Sequence, residues 1–284
     1  MTDHARLLNH RTFTELGARE RARALLDRGS FRELVDPFER LISPWLPGQG
    51  IVTQADDGVV IAKGTLEGEP AVIAAIEGAF QGGSMGEVGG AKIAAALELA
   101  AEDNRKGIPT RACLLLETGG VRLQEANLGL AAIAEIQAAI VDLRRYQAVV
   151  GVIAGPVGCF GGMSIAAGLC SHLIVTREAR LGLNGPQVIE QEAGIEEFDS
   201  RDRPFIWSLT GGEQRHATGL ADAYVADDLE AVRNEVLRCM AGGPVEQTRS
   251  RRHAQYLARL ATLGTPCPLL TAADVRDLYK ENDQ

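Results

Sequence analysis

Two glycine-rich turns, each between an apolar run and a helical pattern, carry the residue types best suited to chemistry in this chain. The first reads Leu114-Leu115-Leu116-Glu117-Thr118-Gly119-Gly120; the second, Gly158-Cys159-Phe160-Gly161-Gly162, follows the apolar stretch from Val149 to Ala154. Glycine lets the main chain approach a ligand where a side chain would intrude. Peptide N–H groups at the start of a helix point outward, and the helix dipole favours negative charge there. Two such donors from different turns are enough to stabilise an oxyanion. The amides around Gly119, Gly120, Gly161 and Gly162 are therefore expected to form an oxyanion hole. Taken singly, each turn also reads as an ordinary tight connection between a strand and a helix.

Other residues gather near these turns in sequence. Arg122, Gln124 and Glu125 fall on the first helical turn after Gly120. Upstream, Phe80-Gln81-Gly82-Gly83-Ser84-Met85-Gly86 contains G-x-S-x-G, the pattern of a hydrolase nucleophile elbow between strand and helix. A triad would need an Asp and then a His further on, and the later histidines are His172, His216 and His253. His172 opens a strand-like run and reads as a core or edge residue, so the loop is expected to line a thioester. A plain helix start with glycines for close packing is its structural alternative. Gly185-Pro186 places proline at a first helical position. No G-x-G-x-x-G or phosphate-binding P-loop occurs, and no His, Asp and Glu cluster has metal spacing.

The elements that must position these residues alternate. Helical spacing covers residues 12–28, with a short element at 34–41. Apolar runs at 58–63 and 69–76 flank a hairpin-like turn. Then come a helix at 90–104, a strand at 110–117, a helix at 122–146, a strand at 148–154 and a helix at 162–170. Short strands follow at 172–176 and 180–183, and helices beyond Pro204, with a turn around 219–228. Alternation of this kind predicts an α/β class with a largely parallel sheet. The expected division is a helical arm at 1–49, a catalytic domain at 50–228 and a helical extension at 229–284.

Bulk properties narrow the function. The 284 residues carry a net charge of −9, which argues against a general nucleic-acid binder. Five scattered cysteines form no C-x-x-C pair, and Met1-Thr2-Asp3-His4 lacks a basic-then-apolar leader, so a reducing cytoplasm without membrane attachment is expected.

Read together, Phe80 to Gly86, Gly119 to Ala126, Gly161 to Ser164 and Gly185 to Gln191 resemble the carboxyltransferase branch of the crotonase superfamily. The β subunit of bacterial acetyl-CoA carboxylase is one such protein, but the four-cysteine zinc ribbon usual there has no counterpart here. The length and the Leu123-Gln124-Glu125-Ala126-Asn127 segment look closer to malonate decarboxylase β subunits. The resemblance implies a crotonase-like ββα spiral with terminal helical extensions. It also implies decarboxylation of a malonyl thioester to an acetyl thioester, the enolate being held in the oxyanion hole. Gln81, Gly82, Gly83, Ser84, Met85, Arg122, Gln124, Glu125, Gly185 and Pro186 would contact the substrate, with Glu125 or a water as proton donor. No cofactor or metal would bind the chain directly. The substrate would ride on the CoA-like prosthetic group of an acyl carrier protein, and biotin would enter only for a biotin-dependent carboxyltransferase. Implied partners are a homologous γ subunit completing the site, the carrier protein and an acyl-carrier-protein transferase subunit. A serine hydrolase and a non-catalytic scaffold subunit are the remaining alternatives.

Overall fold

The computed structural model describes residues 11–50, 58–263 and 270–281. A seven-stranded sheet runs through it in simple chain order. β1 (Arg32–Leu34), β2 (Val59–Leu66) and β3 (Glu69–Ile76) pair antiparallel. β4 (Arg111–Leu115), β5 (Val149–Ile153), β6 (His172–Val175) and β7 (Ala223–Tyr224) then add in parallel to β3. The β2–β3 hairpin turns on Glu67 and Gly68, both at positive φ (52° and 81°), as a tight two-residue hairpin requires. Asp27 clamps that turn by accepting from the amides of Glu67 and Gly68, from Thr65 Oγ1 and from Arg233. The Gly68 hydrogen bond, ahead of those from Thr65 and Glu67, holds the Asp27 carboxyl below its usual range.

Each parallel step needs a crossover, and each crossover is helical. α1 (Ala18–Leu25) precedes the sheet. α2 (Glu87–Arg105) links β3 to β4, α3 (Asn127–Leu143) links β4 to β5, and α4 (Gly162–Leu169) links β5 to β6. α5 (Pro186–Ala193), α6 (Arg203–Thr210) and α7 (Gly212–Ala217) lie between β6 and β7. α8 (Leu229–Ala241), α9 (His253–Ala261) and α10 (Ala272–Glu281) follow.

Strand side chains alternate between faces, and the core divides accordingly. Val72, Ala74, Ile76, Ala112, Leu114, Val149 and Ile153 pack against α2, α3 and α4, where Ile93, Leu97, Ile133, Ile136 and Met163 are buried. Ala71, Ile73, Cys113, Leu115, Val150, Val152 and Ile174 face the opposite way, onto Leu25 of α1 and Val232 and Val236 of α8. Burial on both faces explains why the parallel strands read as continuous apolar runs.

Several sequence expectations change in detail. The helix expected over 12–28 is confined to Ala18–Leu25, and the short element placed at 34–41 shrinks to a 3-10 turn over Pro37–Glu39, just after the edge strand β1. Phe13 and Leu25 of the N-terminal segment are fully buried with Val236 of the C-terminal one, so the core crosses the boundaries expected at 49 and 228. The single helix expected over 122–146 splits into a 3-10 turn (Leu123–Glu125) and α3, with Ala126 between them at φ 43°. Residues 180–183 form isolated bridges, Arg180 to Gly211 and Leu181 to Cys159, instead of a ladder strand. β7 lies where only a turn was expected, because its two residues are too few to show a period. Among the described residues no helix is long and apolar enough to cross a membrane.

α2 and α3 touch through Gly90, where an added Cβ would stand 2.5 Å from the Ala132 Cβ. Gly90→Val is expected to cost about 1–3 kcal/mol by overpacking. It should lower the urea midpoint without changing the slope of the unfolding curve, and an unchanged midpoint would show that the helices yield freely.

Candidate active site

Loops at the carboxyl ends of parallel strands are where α/β sheets bind ligands, and here the loops after β4 and β5 carry both glycine turns. A buried ion pair sets their position. Glu117, the second residue past β4, accepts from Arg21 Nη1 of α1 at 3.0 Å. Its other oxygen accepts from the amides of Val157 and Gly158, past β5, at 2.7 and 3.2 Å. Arg21 also donates through Nε to the Phe13 carbonyl at 3.0 Å and through Nη2 to that of Thr14. The pair leaves no room for side chains around it: a Cβ on Gly155 would lie 2.0 Å from Glu117 Oε2 and one on Gly78 2.5 Å from Glu117 Cγ.

The loop from Phe80 to Gly86 lies against the first turn. Met85 N donates to the Gly120 carbonyl at 2.7 Å, and Arg122 N donates to that of Met85 at 2.8 Å. Gly83 sits at φ +63°, and a Cβ there would come within 1.9 Å of the Glu117 carbonyl oxygen, so only glycine fits. Arg122 and Glu125 form a second buried pair at 2.8 Å. Arg122 reaches the Ser84 carbonyl at 3.0 Å and its hydroxyl at 3.3 Å, while Glu125 Oε2 accepts from Glu87 N, the first amide of α2, at 2.7 Å. Both Glu125 oxygens are therefore engaged in holding the loop to α2. That is the geometry of a clamp, and it argues against the proton-donor role considered from sequence.

The two turns meet. Thr118 N donates to Gly158 O at 2.7 Å and Phe160 N to Thr118 O at 3.1 Å. A Cβ on Gly120 would be 3.3 Å from the Gly161 Cα, so the backbones touch. Three of the four amides expected in the oxyanion hole have internal acceptors. Gly119 donates to Gly82 O at 2.9 Å, Gly120 to Thr118 Oγ1 at 3.1 Å and Gly161 to Leu183 O at 2.7 Å. Gly162, the fourth, opens α4, and its N–H has no acceptor among the described residues; neither do those of Met163 and Val121. Sequence reading missed Val121 because its side chain carries no chemistry. The signal available was its position, directly after a glycine pair.

The remaining expected residues distribute around this centre. Gln81, Gly82, Gly119 and Gln124 are exposed, and Ser84 and Met85 sit beneath them, Met85 fully buried. Gly185 caps α5 with Pro186 as its first residue, two positions beyond the Leu183 carbonyl that takes the Gly161 amide. Ser84 has ordinary extended dihedrals (φ −64°, ψ 135°) instead of an elbow's strain, and no hydrogen bond joins it to a histidine among the described residues. Burial pulls the His172 pKa down and pushes the Cys113, Cys159 and Cys170 thiols up, that of Cys170 to about 12, so these thiols are core groups and not nucleophiles. Cys267 lies outside the described residues.

A carboxyl transferase domain model matches residues 10–278. The chain belongs to the carboxyl transferase domain family. It is 37% identical over 263 residues to a malonyl-S-ACP:biotin-protein carboxyltransferase of Malonomonas rubra, covering 89% of this chain and 82% of that one. A chain of a Pseudomonas malonate decarboxylase hetero-tetramer solved in complex with malonate shares 76% identity, with a TM-score of 0.92 over 98% of this chain and 100% of that one. The transcarboxylase 12S core, solved with methylmalonyl-coenzyme A and methylmalonic acid, is 29% identical at a TM-score of 0.65, covering 78% of this chain and 40% of that one. The mixed α/β sheet described above is thus the carboxyltransferase, crotonase-like fold.

In this family member the buried Arg21–Glu117 pair sets the spacing of the two turns. Arg21→Met removes one partner and leaves a buried carboxylate, a loss expected to cost about 3–5 kcal/mol. Urea unfolding should report it. A loss of under about 1 kcal/mol, the value of an exposed pair, would show that the pair does not hold the loops.

Proposed function

We propose that this chain is the β-type subunit of a malonate decarboxylase, in which it removes CO₂ from a malonyl thioester. The observation that carries the reading is the pair of touching glycine turns that present the amides of Val121 and Gly162, which have no acceptor among the described residues. Its likeness to the Pseudomonas malonate decarboxylase chain supports the choice of substrate.

The chemistry needs little else. As the bond between the carboxylate and the α-carbon breaks, its electron pair moves into the thioester, and negative charge collects on the carbonyl oxygen. The amides of Val121 and Gly162, with Met163 behind Gly162 on the first turn of α4, donate to that oxygen. They are fixed by the fold and need no reorganisation as the charge develops. One proton then adds at carbon, giving the acetyl thioester. Gly82 and Gly119 are exposed and carry no side chain, which leaves the approach beside the Phe80–Gly86 loop to the pantetheine-like arm of a carrier protein. Gln81, Gln124, Gly185 and Pro186 border that approach, while Arg122 and Glu125 act on it by positioning Ser84 and the start of α2.

Leu123, Leu130, Ile165 and Leu183 are large, apolar and exposed around the turns. A similar chain has been solved in a hetero-dimer of Pseudomonas malonate decarboxylase, and a partner subunit, on this reading a homologous γ subunit, would cover such a surface and complete the site. The carrier protein and its transferase subunit complete the assembly, in the cytoplasm. The likeness to the Malonomonas rubra carboxyltransferase supports a second reading, in which the carboxyl group passes to biotin.

The reconstituted complex is expected to release CO₂ from malonyl carrier protein in the presence of avidin; inhibition by avidin would favour the biotin reading. Gly161 sits at φ +60°, and a Cβ there would press on the Gly120 Cα at 3.2 Å, so Gly161→Ala should displace the Gly162 amide. A fall in kcat of about 10²–10³ is expected, the size seen on loss of one oxyanion donor. Full activity in a folded complex would remove the hole from the mechanism. Ser84→Ala should keep most of the activity, whereas its abolition, with esterase turnover by the unmodified chain, would restore the hydrolase.

A further inference from the structure

A cavity of about 490 Å³ opens between the loop after β6 and helices α6, α7 and α10. Arg177, Arg203 and Arg276 line it around the indole of Trp207. Among the described residues none of these three guanidiniums has a carboxylate within ion-pair distance, although the chain as a whole carries a charge of −9. Arg180 adds a fourth cation, 4.6 Å from the Trp207 ring centre, and donates to the carbonyls of Pro156 and Val157 in place of a carboxylate. Burial first, and then the charge of Arg203, lowers the Arg180 pKa. Only Glu178 and Glu213 oppose them on the lining.

Gln214 supplies an independent observation. It lines the same cavity, is only 5% exposed, and donates through Nε2 to the Ala272 carbonyl at 3.1 Å. That bond fixes the amide's orientation and leaves Oε1 buried with no donor among the described residues. The fixed side chain gives the cavity a rigid polar wall, Oε1 itself being sealed from solvent.

Gathered arginines repel one another unless an anion lies between them, and their planar forks match phosphate oxygens two at a time. The volume is that of a small-molecule site and exceeds what a single phosphate needs. We infer that this cavity binds a phosphorylated small molecule of nucleotide size, its phosphates held by Arg177, Arg203 and Arg276. The site is separate from the glycine turns. Arg180 stands between them, 5.4 Å from the Phe160 ring on one side and against Trp207 on the other. The inference does not rest on the decarboxylase reading.

Trp207 provides the readout. The chain has two tryptophans, so Trp45→Phe in the full chain leaves Trp207 as the only indole. Titration with ADP should change its fluorescence saturably, and pyrophosphate should compete. Adenosine, which lacks the phosphates, should bind at least about tenfold more weakly, as loss of charge-assisted hydrogen bonds implies. Arg203→Ala with Arg276→Ala should weaken ADP by at least about the same factor while leaving the circular dichroism unchanged. The inference is overturned by any of three results: no saturable response to millimolar ADP or pyrophosphate, adenosine binding as tightly as ADP, or unaltered ADP affinity in the double variant.

Discussion

The arrangement of the site depends on one buried ion pair. Arg21 comes from the N-terminal helix, Glu117 from the loop after β4, and the amides that share Glu117 from the loop after β5. Two charges withdrawn from water are costly unless their hydrogen-bonding capacity is filled. Here it is filled by two backbone carbonyls on the arginine side and two backbone amides on the carboxylate side. The pair thereby fixes main chain, not merely side chains. The turns it fixes are those whose backbones touch at Gly120 and Gly161.

The glycines follow from the same constraint. Gly78 and Gly155 make room for the Glu117 side chain, Gly83 for its carbonyl and Gly86 for the Glu125 carboxylate. Their role is steric, whereas Gly162 has a second one, because its own amide opens α4 without an acceptor among the described residues. A run of glycines in the sequence thus contains two kinds of position. Spacing alone does not separate them, because the neighbour each would strike comes from a distant part of the chain.

The surface divides in the same way. Apolar side chains such as Leu123 and Leu183 border the turns, and the arginine-lined cavity lies behind Arg180. The first is surface for a subunit; the second is lined for a charged small molecule. Arg180, stacked between Phe160 and Trp207, is the physical boundary between them.

The sequence by itself determined the α/β class, the hairpin and the order of strands and helices in the parallel part, and it marked the two turns that we propose as the chemical centre. These features rest on local properties: apolar runs long enough to be strands, helical periods, and glycines at the junctions. Its motifs were also specific enough to point to the carboxyltransferase family. Tertiary structure decided which amides face outward. Gly119, Gly120 and Gly161 looked equivalent to Gly162 in sequence, yet each meets an acceptor supplied by Gly82, Thr118 or Leu183, and Val121 meets none among the described residues. It also turned Glu125 from a candidate acid into a clamp, and joined the terminal segments to one core. A hydrogen-bond acceptor from another loop leaves no periodic trace in the chain, so only the folded backbone could assign the donors.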